Sequence, residues 1–191
     1  MTAAPQVRYT HAEYLAFERS TPVKHEFVRG LILAMAGGKP EHGARAVRVT
    51  ATLIGQLRGR PYSVFDSDVR VRVKAANLTA YPDASVVCGR LAMDDEDQDA
   101  IVNPVLLVEV LSPSTEQHDR GEKLEAYKQL PSVVEVVFVA HDQRRIDVWV
   151  RDEGGAWRLA SYSIGQTARL SSLGCDLDVD DVYADPLAET R

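Results

Sequence analysis

Val105-Leu106-Leu107-Val108-Glu109-Val110-Leu111, followed at once by Ser112-Pro113-Ser114-Thr115, is the stretch whose reading decides the fold. A run this apolar predicts a strand buried at the centre of a sheet, and Pro113 stops it. Glu109 is the anomaly inside it. A buried carboxylate is costly unless it is paired or bound to a cation, so it calls for a physical reason. The simplest functional one is a metal shared with Asp83, which lies in a second strand-like segment, residues 81–87, opened by Tyr81-Pro82-Asp83.

Downstream, a helix is expected to start between residues 114 and 119 and to run to about 130. On it Asp119, Lys123 and Tyr127 stand four apart and share one face. Residues 133–140 read as a second very apolar strand and His141-Asp142-Gln143 as a turn. Residues 144–151 read as its hairpin partner, 156–162 as another strand, and 170–183 as a final strand with a helical turn. Upstream, Thr10 and Glu13 form a capping-box pattern for a short helix ending near Ser20 and Pro22. Residues 24–28 and 31–35 read as strands joined at Arg29-Gly30, with Glu26 in the first. Residues 41–58 repeat apolar side chains at helical spacing, with His42 at the start. Residues 62–65 read as a strand. In residues 69–73 Val69, Val71 and Val73 alternate with Arg70 and Arg72 and then Lys74, which predicts a half-buried strand with a cationic outer face. Met93-Asp94-Asp95-Glu96-Asp97-Gln98-Asp99 reads as a solvated acidic loop; it lacks the glycine and the terminal glutamate of a calcium-binding EF-hand loop.

Bulk properties bound the rest. A chain of 191 residues is expected to be one domain over 1–191, with its core at about 10–183. A hydrophobic share of 45% and a charged share of 26% are those of an ordinary globular protein. The net charge of -6 argues against a protein that coats nucleic acid through its overall field, and leaves room for a local basic groove. Cys88 and Cys175 stand in no paired motif, which argues against a disulfide framework or a zinc cluster. No signal-peptide pattern opens the chain and no apolar run reaches membrane-span length, so a cytoplasmic protein with no membrane partner is expected.

The order helix, hairpin, helix, strands, central strand, helix, strands predicts an α/β (α+β) domain with a mixed central β-sheet flanked by helices and extra N-terminal and C-terminal strands. Asp83 in a Pro-Asp pair, Glu109 on an apolar strand and a following lysine resemble the PD-(D/E)XK nuclease superfamily. His25-Glu26-Phe27-Val28-Arg29-Gly30, His42, Tyr81-Pro82-Asp83, Glu109 to Ser114, and Asp119 with Lys123 and Tyr127 are together similar to the Uma-two family of restriction-endonuclease-like proteins. The superfamily lysine stands two residues after the glutamate, where this chain has Leu111; in the Uma-two branch that replacement is usual, and Lys123 is the matching migrated lysine.

The resemblance implies a restriction-endonuclease-like core and metal-dependent endonuclease activity on phosphodiester bonds in DNA. Asp83 and Glu109, with the Val110 carbonyl, would hold Mg2+ or Mn2+. Glu26 would complete the metal shell, Lys123 would orient water or stabilise developing charge, and His42 would contact phosphate or carry a proton. Arg58, Arg60, Arg70, Arg72 and Lys74 are the candidate phosphate contacts, expected to line the approach to Asp83. A homodimer is expected, since cutting both strands of a duplex is easiest with two symmetric sites. Each residue also has a structural reading: Asp83 as a strand start, Glu109 and Lys123 as a buried ion pair without metal, Glu26 and His42 as ordinary hairpin and helix-start residues. The alternative function is a catalytically silent nuclease-fold module that binds nucleic acid or protein, with a phosphoesterase acting on small molecules as a third.

Overall fold

The computed structural model describes residues 7–35 and 37–185; residues 1–6, 36 and 186–191 lie outside it, and with them part of the N-terminal stretch searched for a signal sequence. In chain order the first elements are α1 (His11–Glu18), β1 (His25–Val28), β2 (Leu31–Ala34), α2 (Pro40–Leu57), β3 (Tyr62–Asp66) and β4 (Arg70–Val73). After a single 3-10 turn come β5 (Leu78–Ala80), β6 (Ala84–Cys88), β7 (Ala100–Ile101) and β8 (Pro104–Val110). The next helical segment is built from α3 (Glu116–His118), a π-helical stretch (Asp119–Lys123) and α4 (Leu124–Tyr127). It is followed by β9 (Glu135–Val139), β10 (Arg145–Arg151), β11 (Trp157–Ser163), β12 (Thr167–Leu170), β13 (Cys175–Asp178) and α5 (Val179–Val182).

The strand predicted as central is central. β8 pairs antiparallel with β6 and parallel with β9 inside a six-stranded sheet of order β11-β10-β9-β8-β6-β3. A second, five-stranded sheet runs β2-β1-β5-β4-β7, and β12-β13 form a small ribbon. The alternation along β8 divides the core. Leu106, Val108 and Val110 pack with Val49, Leu53 and Leu57 of α2, while Leu107 and Leu111 pack with Leu124 and Tyr127 and with Val28, Val71 and Leu78 of the second sheet. Glu109 therefore shares the face of Leu107 and Leu111.

The sequence cues for the ends of elements have visible causes. Thr10 and Glu13 form a reciprocal capping box on α1. Arg29 (φ 48) and Gly30 (φ 93) both take left-handed backbone, as a two-residue hairpin turn requires. A Cβ at Gly30 would stand 3.2 Å from the Arg8 Cβ and 3.3 Å from the Tyr9 carbonyl oxygen, so glycine also admits the close approach of the N-terminal segment.

Two expectations are corrected. β4 has no cationic outer face, because it lies between β5 and β7 and all four of its residues are buried. The acidic run is solvated only in part, with Asp95, Glu96 and Asp99 exposed. Asp94 and Asp97 are buried, and Asp97 accepts from the Arg70 Nε at 2.9 Å and Nη2 at 2.8 Å. A buried guanidinium needs a bidentate partner, and the acidic stretch folds back to supply it.

Candidate active site

Four pieces of chain meet where the two sheets adjoin. β1 brings Glu26, the link between β5 and β6 brings Asp83, β8 brings Glu109, and the π-helical stretch brings Asp119 and Lys123. The pairing of Ala84 with Val108 sets Asp83 level with Glu109 on neighbouring strands. The wider π turn carries Asp119 and Lys123 inward, both buried on a short amphipathic segment.

The Lys123 ammonium is the geometric centre. Its Nζ lies 2.9 Å from Glu26 Oε1, 2.9 Å from Glu109 Oε1 and 3.3 Å from Asp119 Oδ1. Tyr127 donates its hydroxyl to Glu109 Oε1 at 2.6 Å, and the Tyr81 backbone N–H donates to Glu26 Oε1 at 3.2 Å. Burial pushes the Glu109 carboxyl well above the usual range; Lys123 opposes this, while Asp119, Asp83 and Glu26 add to it. For Lys123 burial acts downward, yet Glu109, Tyr127, Glu26 and Asp119 outweigh it, and the ammonium is held charged well above its ordinary pKa. Burial likewise raises the Tyr127 phenol, with Glu109 reinforcing it, so the hydroxyl stays a donor.

Asp83 sits at the open side. Its Oδ2 accepts from the Val110 N–H at 2.7 Å and lies 3.5 Å from the His42 Nε2. Asp83 raises the His42 pKa, against burial and against Arg45 three residues along the same helix. Lys39, the N-cap of α2, makes no side-chain cap and Pro40 carries no N–H, so among the described residues no side-chain cap covers the Glu41 and His42 N–H groups, which can face an anion.

The structure thus brings Glu26, His42, Asp83, Glu109, Val110 and Lys123 together. It does not bring the five candidate phosphate contacts to the approach. Arg58 and Arg60 precede β3 at the end where Tyr62 pairs Cys88, whereas Asp83 adjoins the opposite end, where Asp66 pairs Ala84. Arg70 is taken by Asp97 and Tyr81; Arg72 is buried and donates to the Leu78 carbonyl; and Lys74 pairs with Asp94 and Asp95. The regular alternation that suggested an open cationic row is that of a strand buried on both faces. Arg45 was missed in the sequence, although its spacing of three from His42 on a predicted helix was the available signal.

Against known proteins, residues 11–180 match the family model Uma2, described as "Putative restriction endonuclease". The chain belongs to the Uma2 family. Two uncharacterised proteins of Synechocystis sp. are similar along nearly their whole length. One, slr1290, is 32% identical over 181 residues, covering 95% of this chain and 94% of that protein. The other, sll1609, is 28% identical over 170 residues, covering 89% and 96%. Among solved structures, "a putative nuclease belonging to DUF820" from Anabaena variabilis superposes with a TM-score of 0.71 at 15% identity, covering 88% of this chain and 96% of that one. The Uma2 fold is thereby that of a restriction-endonuclease-like protein. Among the described residues no helix is long and apolar enough to cross a membrane.

Proposed function

We propose that this Uma2 protein is a divalent-metal-dependent endonuclease that hydrolyses phosphodiester bonds in DNA. The observation that carries the reading is Lys123: an ammonium 2.9 Å from Glu109, reached from the following helix, gives that glutamate the neighbouring cation that Leu111 on its own strand cannot.

The donor set fits a hard cation. Among the described residues, the contacts of Glu109 go to Oε1 and those of Asp83 to Oδ2, which leaves the second oxygen of each carboxylate, while the Val110 carbonyl faces His42. No group of three or more His, Cys, Asp or Glu side chains among the described residues is placed to hold a metal ion. Magnesium needs no such group, since it keeps several waters and takes one or two carboxylates. Four carboxylates face one lysine and one histidine here, an excess of negative charge that a divalent ion relieves. When bound at Asp83, Glu109 and Val110, Mg2+ or Mn2+ supplies Lewis-acid polarisation of the phosphate and a water of lowered pKa.

The chain's own groups do the remainder. Lys123, kept charged by its carboxylates, donates to the attacking water or to the phosphate oxygen on which charge builds. Glu26 holds that ammonium in place, and is itself fixed by the Tyr81 N–H. His42 and the uncapped start of α2 receive the phosphate, and Arg45 adds a cation behind them.

The test is incubation of supercoiled plasmid with the purified protein and Mg2+ or Mn2+, beside Asp83→Asn, Glu109→Gln and Lys123→Met, with calorimetric titration of each metal. Nicking in the wild type that falls about a hundredfold or more in all three folded variants supports the reading. Metal binding without cleavage, or no binding at all, turns the assignment to a silent binding module. That second reading is favoured by the three carboxylates that already satisfy Lys123 without a metal.

A further inference from the structure

β3 is the outer strand of the six-stranded sheet. Edge strands expose unpaired main-chain groups, and proteins ordinarily guard them with charge, proline, a bulge or a covering element. Tyr62-Ser63-Val64-Phe65-Asp66 carries a charge only at its last residue and pairs with β6 without a bulge. The Gly89 N–H donates to the Pro61 carbonyl at 2.7 Å, and antiparallel alternation from that pair turns Ser63 and Phe65 towards β6. The N–H and C=O of Val64, the Tyr62 carbonyl and the Asp66 N–H consequently point outward.

A groove lies on each face of this edge, and in each the apolar side chains are flanked by charged ones, Arg58 and Arg60 on one side and Asp68 and Asp99 on the other. Ile54, Leu57, Tyr62 and Val64 line a groove on the α2 side, and Phe65, Val69, Leu91 and Met93 line another on the opposite side. α2 turns Ala44, Val47, Ala51 and Ile54 to solvent, with Val47 68% and Ile54 49% exposed, where a surface helix normally carries charge. Ile54 joins that apolar face to the edge of β3.

We propose that β3 is the seam between two copies of this chain, paired antiparallel about a two-fold axis at Val64, so that two six-stranded sheets run into one. A two-fold interface must be self-complementary, and this one is. Val64 meets Val64, and the Tyr62 carbonyl meets the Asp66 N–H of the second copy. The two ends of the strand carry opposite charge, with Arg58 and Arg60 in the turn before it and Asp66 and Asp68 at its last residue and in the turn after it, and antiparallel pairing brings the basic end of one copy beside the acidic end of the second. A five-residue edge alone falls short of the roughly 1,000 Å² a stable interface needs; the apolar face of α2 and the two grooves supply the rest. Strand spacing then puts the two Asp83 residues about 25 Å apart on one face of the joined sheet. Only the use of that spacing to address two strands of a duplex rests on the nuclease reading.

Sedimentation equilibrium of the full chain reads the oligomer directly and needs no substrate. The wild type is expected to sediment as a dimer. Val64→Pro removes an N–H that faces outward, which an edge strand tolerates, and Asp68→Arg replaces an exposed side chain whose partner within its own chain is Lys24. Each is expected to give a monomer with an unchanged circular-dichroism spectrum, and Arg60→Asp added to Asp68→Arg is expected to restore the dimer. A monomeric wild type, or a dimer that both single variants leave intact, overturns the proposal. If Val64→Pro fails to fold, Asp68→Arg and its charge-swapped rescue decide alone.

Discussion

A single ammonium organises the candidate site. Lys123 lies between three buried carboxylates, and its removal leaves Glu26, Glu109 and Asp119 facing one another without a counter-charge. Breaking one partner out of a buried ion cluster costs about 3–5 kcal/mol. Lys123→Ala is accordingly expected to lower the unfolding free energy measured in urea by that amount, and adding Glu109→Gln to it to recover part of the loss by removing one of the opposed charges. His11 gives a second prediction, on pH. Burial, helped by Arg72, lowers its pKa below the usual 6.5. The unfolded chain therefore takes up the proton first as pH falls. The His11 contribution is complete above about 6.5 and is lost as pH drops through the folded value. Thermal melts between pH 7 and pH 5 should show a stability loss that His11→Gln reduces; an identical slope in the variant would rule His11 out as the titrating group.

Among the elements, the β1–β2 hairpin and the helical segment carry the site. Glu26 reaches Lys123 only because the turn at Arg29-Gly30 holds β1 in register with β2 and β5. Gly30→Ala forces a side chain into left-handed backbone against Arg8 and Tyr9, which costs about 1–2 kcal/mol. The expected result is a lower melting temperature and weaker hydrogen-exchange protection across β1, with α2 unaffected; equal loosening of α2 would speak against a local effect. Helical spacing of apolar residues located α2 to within a residue at each end, since an 18-residue helix with one buried stripe leaves a periodic trace. The same periodicity gave no sign of the π turn at Asp119–Lys123. That turn answers to carboxylates on two other elements, Glu26 on β1 and Glu109 on β8, which the periodicity of the helix itself does not register.

For the whole molecule, the two larger sheets share one apolar cluster: Val28, Val71 and Leu78 of the five-stranded sheet pack with Leu107, Val136 and Phe138 of the six-stranded one. The six-stranded sheet has a second cluster against α2, but the five-stranded sheet buries its valines and Leu78 in the shared one, so the two are expected to melt together. A single calorimetric transition, with equal calorimetric and van't Hoff enthalpies when measured at fixed oligomeric state, is the expected outcome; two resolved transitions would divide the chain into two units. The sequence expectation of one domain over 1–191 is tested by that measurement.

What the sequence by itself determined was local and periodic. An apolar run ending at a proline placed the central strand, helical spacing placed α2, and the ordered set of Glu26, Asp83, Glu109 and Lys123 pointed to the Uma2 family, which the family match bears out. What only the tertiary structure decided was which charges meet. Alternating arginines in β4 read as a surface row until the acidic run folded back and the strand lay buried; Arg58 and Arg60 fell at the far end of β3 because strand register fixed them there. The reason is physical: periodicity is set by backbone geometry within a few residues. The partner of a buried charge is chosen by whichever chain segment lowers its desolvation cost, however distant in sequence. Glu26 and Lys123, 97 residues apart and 2.9 Å from contact to contact, are that choice made.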